Sequence, residues 1–238
     1  MTATPLTAVV TGASRGIGAA IARALATGGY RVALVARGVP ALQQVANEIG
    51  ESAIIAPCDI TDPTAVQTMA DQVTQTFGKT PDVVVNNAGV FQLAPLDAMT
   101  VDTFTSTVQT NVIAPFLLVR AFLPAMRTRG SGHIVTIGSI ADRVVLPHNG
   151  AYAPAKFAAR AMHEVLRAEV HGSGVRATLI SPSATDTPLW NEILATTTAA
   201  NIPSRDDMLP ADAVADAVLF AIRRPPNVNI DELRLSHA

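Results

Sequence analysis

Short β-branched runs alternate with longer segments of helical period along the whole 238-residue chain, and that rhythm restricts the fold more than any single motif. The runs lie at residues 8–10, 31–36, 53–56, 83–85, 134–137, 175–180 and 232–235. Between them, residues 17–26, 39–49, 64–77, 101–127, 151–170 and 211–222 read as helices. A strand followed by a helix before the next strand cannot form a hairpin with it. It crosses over and pairs in parallel, and the helices then cover both faces of the sheet. The expectation is an α/β fold, a doubly wound parallel sheet of about seven strands.

No Ser/Gly-rich or Pro-rich linker, internal repeat or low-complexity tract interrupts the rhythm, so residues 1–238 read as a single domain. The irregular stretch 181–210 stands apart. It is Thr-rich, carries the only tryptophan, Trp190, and follows a strand's carboxyl end, where the crevice of such a sheet lies. A lid over that crevice is expected at about residues 183–210.

Apolar residues make up 49% of the chain and charged ones 15%, which supports a packed core and argues against disorder. A net charge of −2 offers no basic field for a nucleic-acid backbone. The apolar stretch 112–119 is broken by Pro115, followed by Arg120, and too short to span a bilayer. Residues 1–7 lack the charged and apolar regions of a signal peptide. The single cysteine, Cys58, suits a reducing compartment. These features point to a soluble, cytoplasmic protein with neither membrane nor nucleic acid as partner, and no metal site is expected.

Residues Thr11-Gly12-Ala13-Ser14-Arg15-Gly16-Ile17-Gly18 follow the first strand and open the first helix. Glycines there allow a tight turn and let N–H groups at the helix start approach a pyrophosphate, although the same turn also serves as a plain strand-to-helix connection. Position favours the phosphate reading and a Rossmann-type sheet. At the end of the second strand, where an acid would bind a ribose 2′-hydroxyl, stand Ala36 and Arg37, with Arg15 in the glycine turn. Two guanidiniums suit a 2′-phosphate, so NADP(H) is expected over NAD(H); the alternative is that both are solvated surface residues.

Tyr152 and Lys156 stand one helical turn apart, and the chain holds only two tyrosines and two lysines. A phenol is a poor proton donor or acceptor at neutral pH, so a neighbouring ammonium has an evident use. Ser139 follows the fifth strand, facing the same crevice or serving as a turn cap. Asn111 precedes Pro115 by four residues in a helix; proline has no N–H to return, so the Asn111 carbonyl is left free for a water toward Lys156, or the helix simply kinks.

Together these residues resemble the short-chain dehydrogenase/reductase family in its compact, single-domain type. The likeness runs from residue 7 to about 187 and includes the glycine turn, Asp59, Asn86-Asn87-Ala88-Gly89, Asn111, Ser139 and Tyr152-x-x-x-Lys156. The resemblance implies hydride transfer between nicotinamide and a carbonyl or secondary alcohol. Tyr152 would exchange the proton, Lys156 would bind the nicotinamide ribose, Ser139 would hold the substrate oxygen, and Asn111 would support a water relay. Gly12, Ser14, Arg15, Gly16, Ile17, Gly18 and Arg37 would take the phosphates, with Asp59 and Ile60 against adenine. Asn86 and Gly89 would border the ribose, and Thr185 and Thr187 would meet the nicotinamide end.

The sequence departs from the family at Pro182-Ser183, where Pro-Gly is usual, and in Pro154, which a helix tolerates only in its first turn. The ending 229–235 lacks the Asp-Gly-Gly of ketoacyl-carrier-protein reductases. A 3-oxoacyl-carrier-protein reductase is the alternative enzyme, with Arg127 and Arg129 as the hint of a carrier patch; a non-catalytic NADP(H)-binding sensor is the alternative of another class. Substrate contacts are expected from 140–149, 91–96 and 187–194. Val144, Val145, Leu146, Leu189 and Trp190 suggest an apolar guest, and His148 reads as a loop residue touching it at most. The resemblance also implies a homodimer or homotetramer packed through helices 101–127 and 151–170, with Ala151, Ala155, Ala158, Ala159 and Ala161 permitting close contact.

Overall fold

A computed structural model describes residues 5–196 and 202–238. Strands β1 (Thr7–Thr11), β2 (Arg31–Ala36), β3 (Ala53–Pro57), β4 (Val83–Asn86), β5 (Gly132–Ile137), β6 (Val175–Pro182) and β9 (Glu232–Leu235) form one sheet. Its order is β3-β2-β1-β4-β5-β6-β9, and every pairing is parallel. The expected seven-strand, doubly wound sheet is what the chain forms. From β1 the chain winds outward to β2 and β3, then returns to lay β4 on the other side of β1. Loops leaving β1 and β4 therefore diverge, opening a crevice at the carboxyl edge.

Alternation along the strands divides the core in two. Ala8, Val10, Val32 and Leu34 point to one face, packing with Ile21 and Leu25 of α1 (Gly16–Thr27) and Leu42 of α2 (Val39–Ile49). Val9, Ala33 and Val35 point to the other, against Met69 and Val73 of α3 (Pro63–Phe77). Leu118, Phe122 and Met126 join this second face from α5 (Ala114–Arg129). Each fully buried side chain of this size contributes about 1.5–3 kcal/mol of transfer free energy.

The helix expected over 101–127 runs to residue 129 in three parts: α4 (Val101–Val108), a π-helical turn (Gln109–Ile113) and α5. Ala114 N–H bonds the Gln109 carbonyl, one residue farther back than in an α-helix. The missing N–H of Pro115 is accommodated by this wide turn, a local rearrangement beyond a plain kink. By length and composition alone the whole span could cross a bilayer, yet Leu117, Leu118, Phe122, Leu123 and Met126 are committed to the sheet.

Helix α6 (Tyr152–Val170) starts so that Pro154 falls in its first turn, the position where proline costs least. Ala151, Ala155 and Ala159 are buried within the chain itself. This corrects the expectation that all five alanines offer a contact surface: Ala158 and Ala161 remain outward, beside exposed Phe157 and Val165.

The stretch after β6 is more regular than expected. A short ladder joins β7 (Thr185–Asp186) to β8 (Leu209–Pro210), with a 3₁₀ turn at Pro188–Trp190 and α7 (Asn191–Thr196) between them. Residues 197–201 of the expected lid lie outside the described residues. Helix α8 (Ala211–Ile222) then packs on α1, and β9 closes the sheet edge.

Candidate active site

The glycine turn shapes one end of the crevice. Gly12 and Gly16 have φ of 67° and 56°, a region that glycine enters without strain. A Cβ on Gly18 would lie 2.2 Å from the Gly12 carbonyl oxygen, so no side chain fits there. The Thr11 hydroxyl accepts the N–H groups of Asn87 and Ala88 at 3.0 and 3.1 Å, while Asn87 Nδ2 donates to the Thr11 carbonyl at 2.8 Å. These bonds stitch the turn after β1 to the one after β4. Helix α1 begins with no side-chain cap and no acid in its first turn. Its first residues Gly16, Ile17 and Gly18 line the cleft, and a helix start with free N–H groups is a natural seat for an anion.

Arg15 and Arg37 line the same end and, among the described residues, have no carboxylate within ion-pair distance. Asp59 accepts from Thr61 N–H at 3.0 Å and from its hydroxyl at 2.7 Å. Those bonds hold its carboxyl below the usual range, with the Arg37 charge helping. Cys58 borders the cleft as well, but burial, reinforced by Asp59 and Asp62, pushes its thiol up to about 11; it is a packing residue and not a nucleophile.

Ser139, Tyr152 and Lys156 come together on the wall of the cleft. Ser139 is extended just past β5, where its hydroxyl accepts from Ala141 N–H at 3.1 Å. Lys156 is buried, donates to the Ile137 carbonyl at 3.0 Å, and stands 5.6 Å from the centre of the Tyr152 ring. Burial pushes Tyr152 up to about 12 against the hydrogen bond from Ser139, and brings Lys156 down to about 8. Both groups are thus held toward their neutral forms.

Two expected site residues stand back from the cleft wall. Asn111 is buried in the π turn with its side chain bonded to Val90, and Asn86 is enclosed with neither amide atom partnered among the described residues. The other expected cofactor residues, Gly12, Ser14, Arg15, Gly16, Ile17, Gly18, Arg37, Asp59, Ile60, Gly89, Thr185 and Thr187, all line it.

A short chain dehydrogenase family model matches residues 6–198. The chain belongs to the short-chain dehydrogenase family. An uncharacterized oxidoreductase of Staphylococcus aureus (strain MW2) is 35% identical over 227 residues, covering 95% of this chain and 94% of that protein. The alcohol dehydrogenase of the archaeon Thermococcus sibiricus, solved with 5-hydroxy-NADP, superposes with a TM-score of 0.87 at 32% identity, covering 98% and 97% of the two chains. A serine dehydrogenase solved in its closed form with NADP+ gives 0.88 at 29% identity, covering 96% and 94%. This chain is thus an oxidoreductase of the family.

In this short-chain dehydrogenase the cleft measures about 1010 Å³, room for a dinucleotide and a second, smaller molecule. A Cβ on Gly16 would lie 3.2 Å from the Thr187 side chain, so the segment that follows β7 comes close to the glycine turn. Beyond Tyr152 the wall is apolar. Phe91 meets the Tyr152 ring at 4.5 Å between centroids and Trp190 at 5.2 Å, with Leu93, Leu146, Pro147 and Leu189 around them. Val144 and Val145 face outward and do not line it, a correction to the expected apolar set. His148 does line it, in a left-handed conformation (φ 65°), and its carbonyl accepts from Ala94 N–H at 2.9 Å. The Pro182-Ser183 departure is absorbed by the sheet, where Ser183 N–H bonds the Leu235 carbonyl at 2.8 Å.

Sequence reading overlooked Asp142, which is fully buried immediately behind Ser139. Its signal was present: Ser139-Ile140-Ala141-Asp142 has the spacing of a capping box.

Proposed function

We propose that the protein is an NADP(H)-dependent carbonyl reductase or secondary-alcohol dehydrogenase acting through Tyr152, Lys156, Ser139 and Asn111. The observation that carries this reading is the convergence of the Ser139 hydroxyl, the Tyr152 phenol and the Lys156 ammonium in one cleft whose far end is an uncapped helix N-terminus. The bound nicotinamide supplies or accepts the hydride. Ser139 holds the substrate oxygen by hydrogen bond, and Tyr152 donates its proton to that oxygen in reduction or takes it back in oxidation. Lys156, steadied by the Ile137 carbonyl, holds the ribose hydroxyls and replenishes the proton. Asn111 braces Val90, and through it Gly89, on the crevice floor. Arg15 and Arg37, unpaired at the far end among the described residues, receive the 2′-phosphate.

The 5-hydroxy-NADP complex of the archaeal alcohol dehydrogenase and the NADP+ complex of the serine dehydrogenase support the cofactor choice. The carrier-protein alternative is weaker. Arg127 and Arg129 lie just before β5, at the sheet edge opposite the cleft, and are bonded to Glu169 and to Thr80, Pro81 and Ser131. Residues 1–238 are taken as one catalytic domain, and Thr187–Trp190 as the root of the substrate lid. Exposed Phe116 on α5 and Phe157 and Val165 on α6 favour a homo-oligomer over a monomer.

Tyr152→Phe tests the mechanism. Turnover of ketones with NADPH should fall by about two to four orders of magnitude while NADPH still binds. Undiminished reduction would overturn the assignment, and absence of any turnover in the unaltered protein, with NADPH binding intact, would favour a sensor.

A further inference from the structure

Asp142 is a carboxylate with no exposure, on the turn that carries Ser139, and a buried charge of that kind is costly unless it is paired and hydrogen-bonded. Its Oδ2 accepts the Ser181 hydroxyl at 2.5 Å and the Ser139 N–H at 3.4 Å, and its own N–H donates to the Ser139 carbonyl at 2.9 Å. Oδ1 accepts Arg143 Nε at 2.7 Å, and Arg143 Nη1 continues to Glu232 at 2.6 Å on β9. One carboxylate thus joins the ends of β5 and β6 directly and reaches β9 through Arg143. Gly138 makes room for it: a Cβ there would lie 2.6 Å from Asp142 Oδ2 and 2.8 Å from Ser181 Oγ.

Resting on the carbonyl-reductase reading, we propose that Asp142 is a positioning residue of this active site, fixing the Ser139 turn and setting the charge against which Tyr152 works. The ionisable groups around it are Arg143 on its own turn, Glu232 from β9, and Tyr152 and Lys156 from α6; Ser181 of β6 brings only a hydroxyl. The Asp142 charge pushes both Tyr152 and Lys156 up, so it works with burial to keep the phenol's proton in place and against burial to keep the ammonium charged. That is the starting state for reduction: a protonated phenol and a cationic lysine. Alcohol oxidation needs the tyrosinate, which the same charge disfavours. The device therefore keeps Tyr152 in its proton-donating form near neutral pH and confines the tyrosinate to alkaline solution.

Asp142→Asn keeps the size of the side chain and an oxygen acceptor for Ser181 while removing the charge. The Tyr152 limb of the kcat/KM profile for alcohol oxidation should move to lower pH by about one unit, so that oxidation keeps its rate to about tenfold higher proton concentration. Arg143→Gln should move it the other way, because the Asp142 charge loses its screen. A role confined to holding the loop predicts parallel losses in both directions with the limb unmoved, and that result would overturn the proposal. If Asp142→Asn does not fold, the Arg143→Gln limb decides alone: an upward shift supports the inference and a fixed limb overturns it. Tyrosinate absorbance, followed in a Tyr30→Phe background where Tyr152 is the only tyrosine, reads the same shift without turnover. A shifted titration in a protein that reduces no carbonyl would refute the catalytic reading and leave the Asp142 effect standing.

Discussion

The side chain of Asn111 clasps the backbone of Val90 from both sides: Oδ1 accepts its N–H at 2.9 Å and Nδ2 donates to its carbonyl at 2.9 Å. A residue in the π turn between α4 and α5 thereby fixes the loop that leaves β4, one residue past Gly89 on the cleft wall. Asn111→Ala would leave both Val90 groups without these partners, at about 1–3 kcal/mol for each one that water cannot reach. A lower melting temperature and weaker NADPH binding are expected together. A melt unchanged within a degree, measured by circular dichroism, would show that the clasp does not matter.

Arg15 and Arg37 are expected to read the phosphate that distinguishes the two nicotinamide cofactors. A hydrogen bond to a charged group is worth about 1.5–3 kcal/mol, so replacing either with Ala should raise KM for NADPH by roughly 10- to 100-fold. KM for NADH should change little. Equal losses with both cofactors, or a wild-type preference for NADH, would assign the two guanidiniums to the solvated surface.

The sheet was legible because its strands are buried on both faces, which leaves unbroken apolar runs such as Val32 to Val35 in the sequence. Tyr152, Lys156 and the glycine turn could be read because their chemistry is local, set by one helical turn or one strand-to-helix junction. What could not be read depends on contacts distant in sequence. Asn111 meets Val90 across 21 residues and Asp142 meets Ser181 across 39, and no local spacing encodes either. Small size suits an interface and a tight core equally, so the sequence alone does not separate Ala155 and Ala159 from Ala158 and Ala161; the side that α6 turns to the sheet decides between them.

The apolar wall formed by Phe91 and Trp190 beside Tyr152 implies a preference for bulky, uncharged ketones. Beyond Lys156 and the imidazole of His148, the described residues lining the cleft around Phe91 and Trp190 carry no basic side chain to meet a carboxylate. Aryl ketones should therefore outpace hydroxy acids and amino acids such as serine in kcat/KM. Trp190→Ala should raise KM for an aryl ketone about tenfold or more, as expected for losing part of an aromatic contact, while kcat changes less. Because Trp190 is the only tryptophan, quenching of its fluorescence should follow binding in the unaltered protein. A faster rate with hydroxy acids would refute the preference.

Two histidines in the core set the acid limit of stability. His133 on β5 bonds the Thr178 hydroxyl at 2.8 Å and His163 on α6 bonds the Thr136 hydroxyl at 2.9 Å, each leaving its other ring nitrogen buried without a partner among the described residues. Burial brings them down to about 3 and about 4, with Arg176 adding to the effect on His133 and Arg167 to that on His163. The unfolded chain takes up a proton at each near pH 6.5, while the folded protein keeps both neutral. Their neutral burial is therefore free of penalty above pH 6.5, and stability falls as pH drops from 6.5 toward 4, by up to about 1.4 kcal/mol per pH unit for each histidine. Urea unfolding at pH 7, 6 and 5 should give a falling midpoint. His163→Gln, which removes one titrating ring while keeping a polar partner for Thr136, should flatten that fall by about half. A midpoint constant from pH 7 to 5 would mean that these rings reach protons without unfolding.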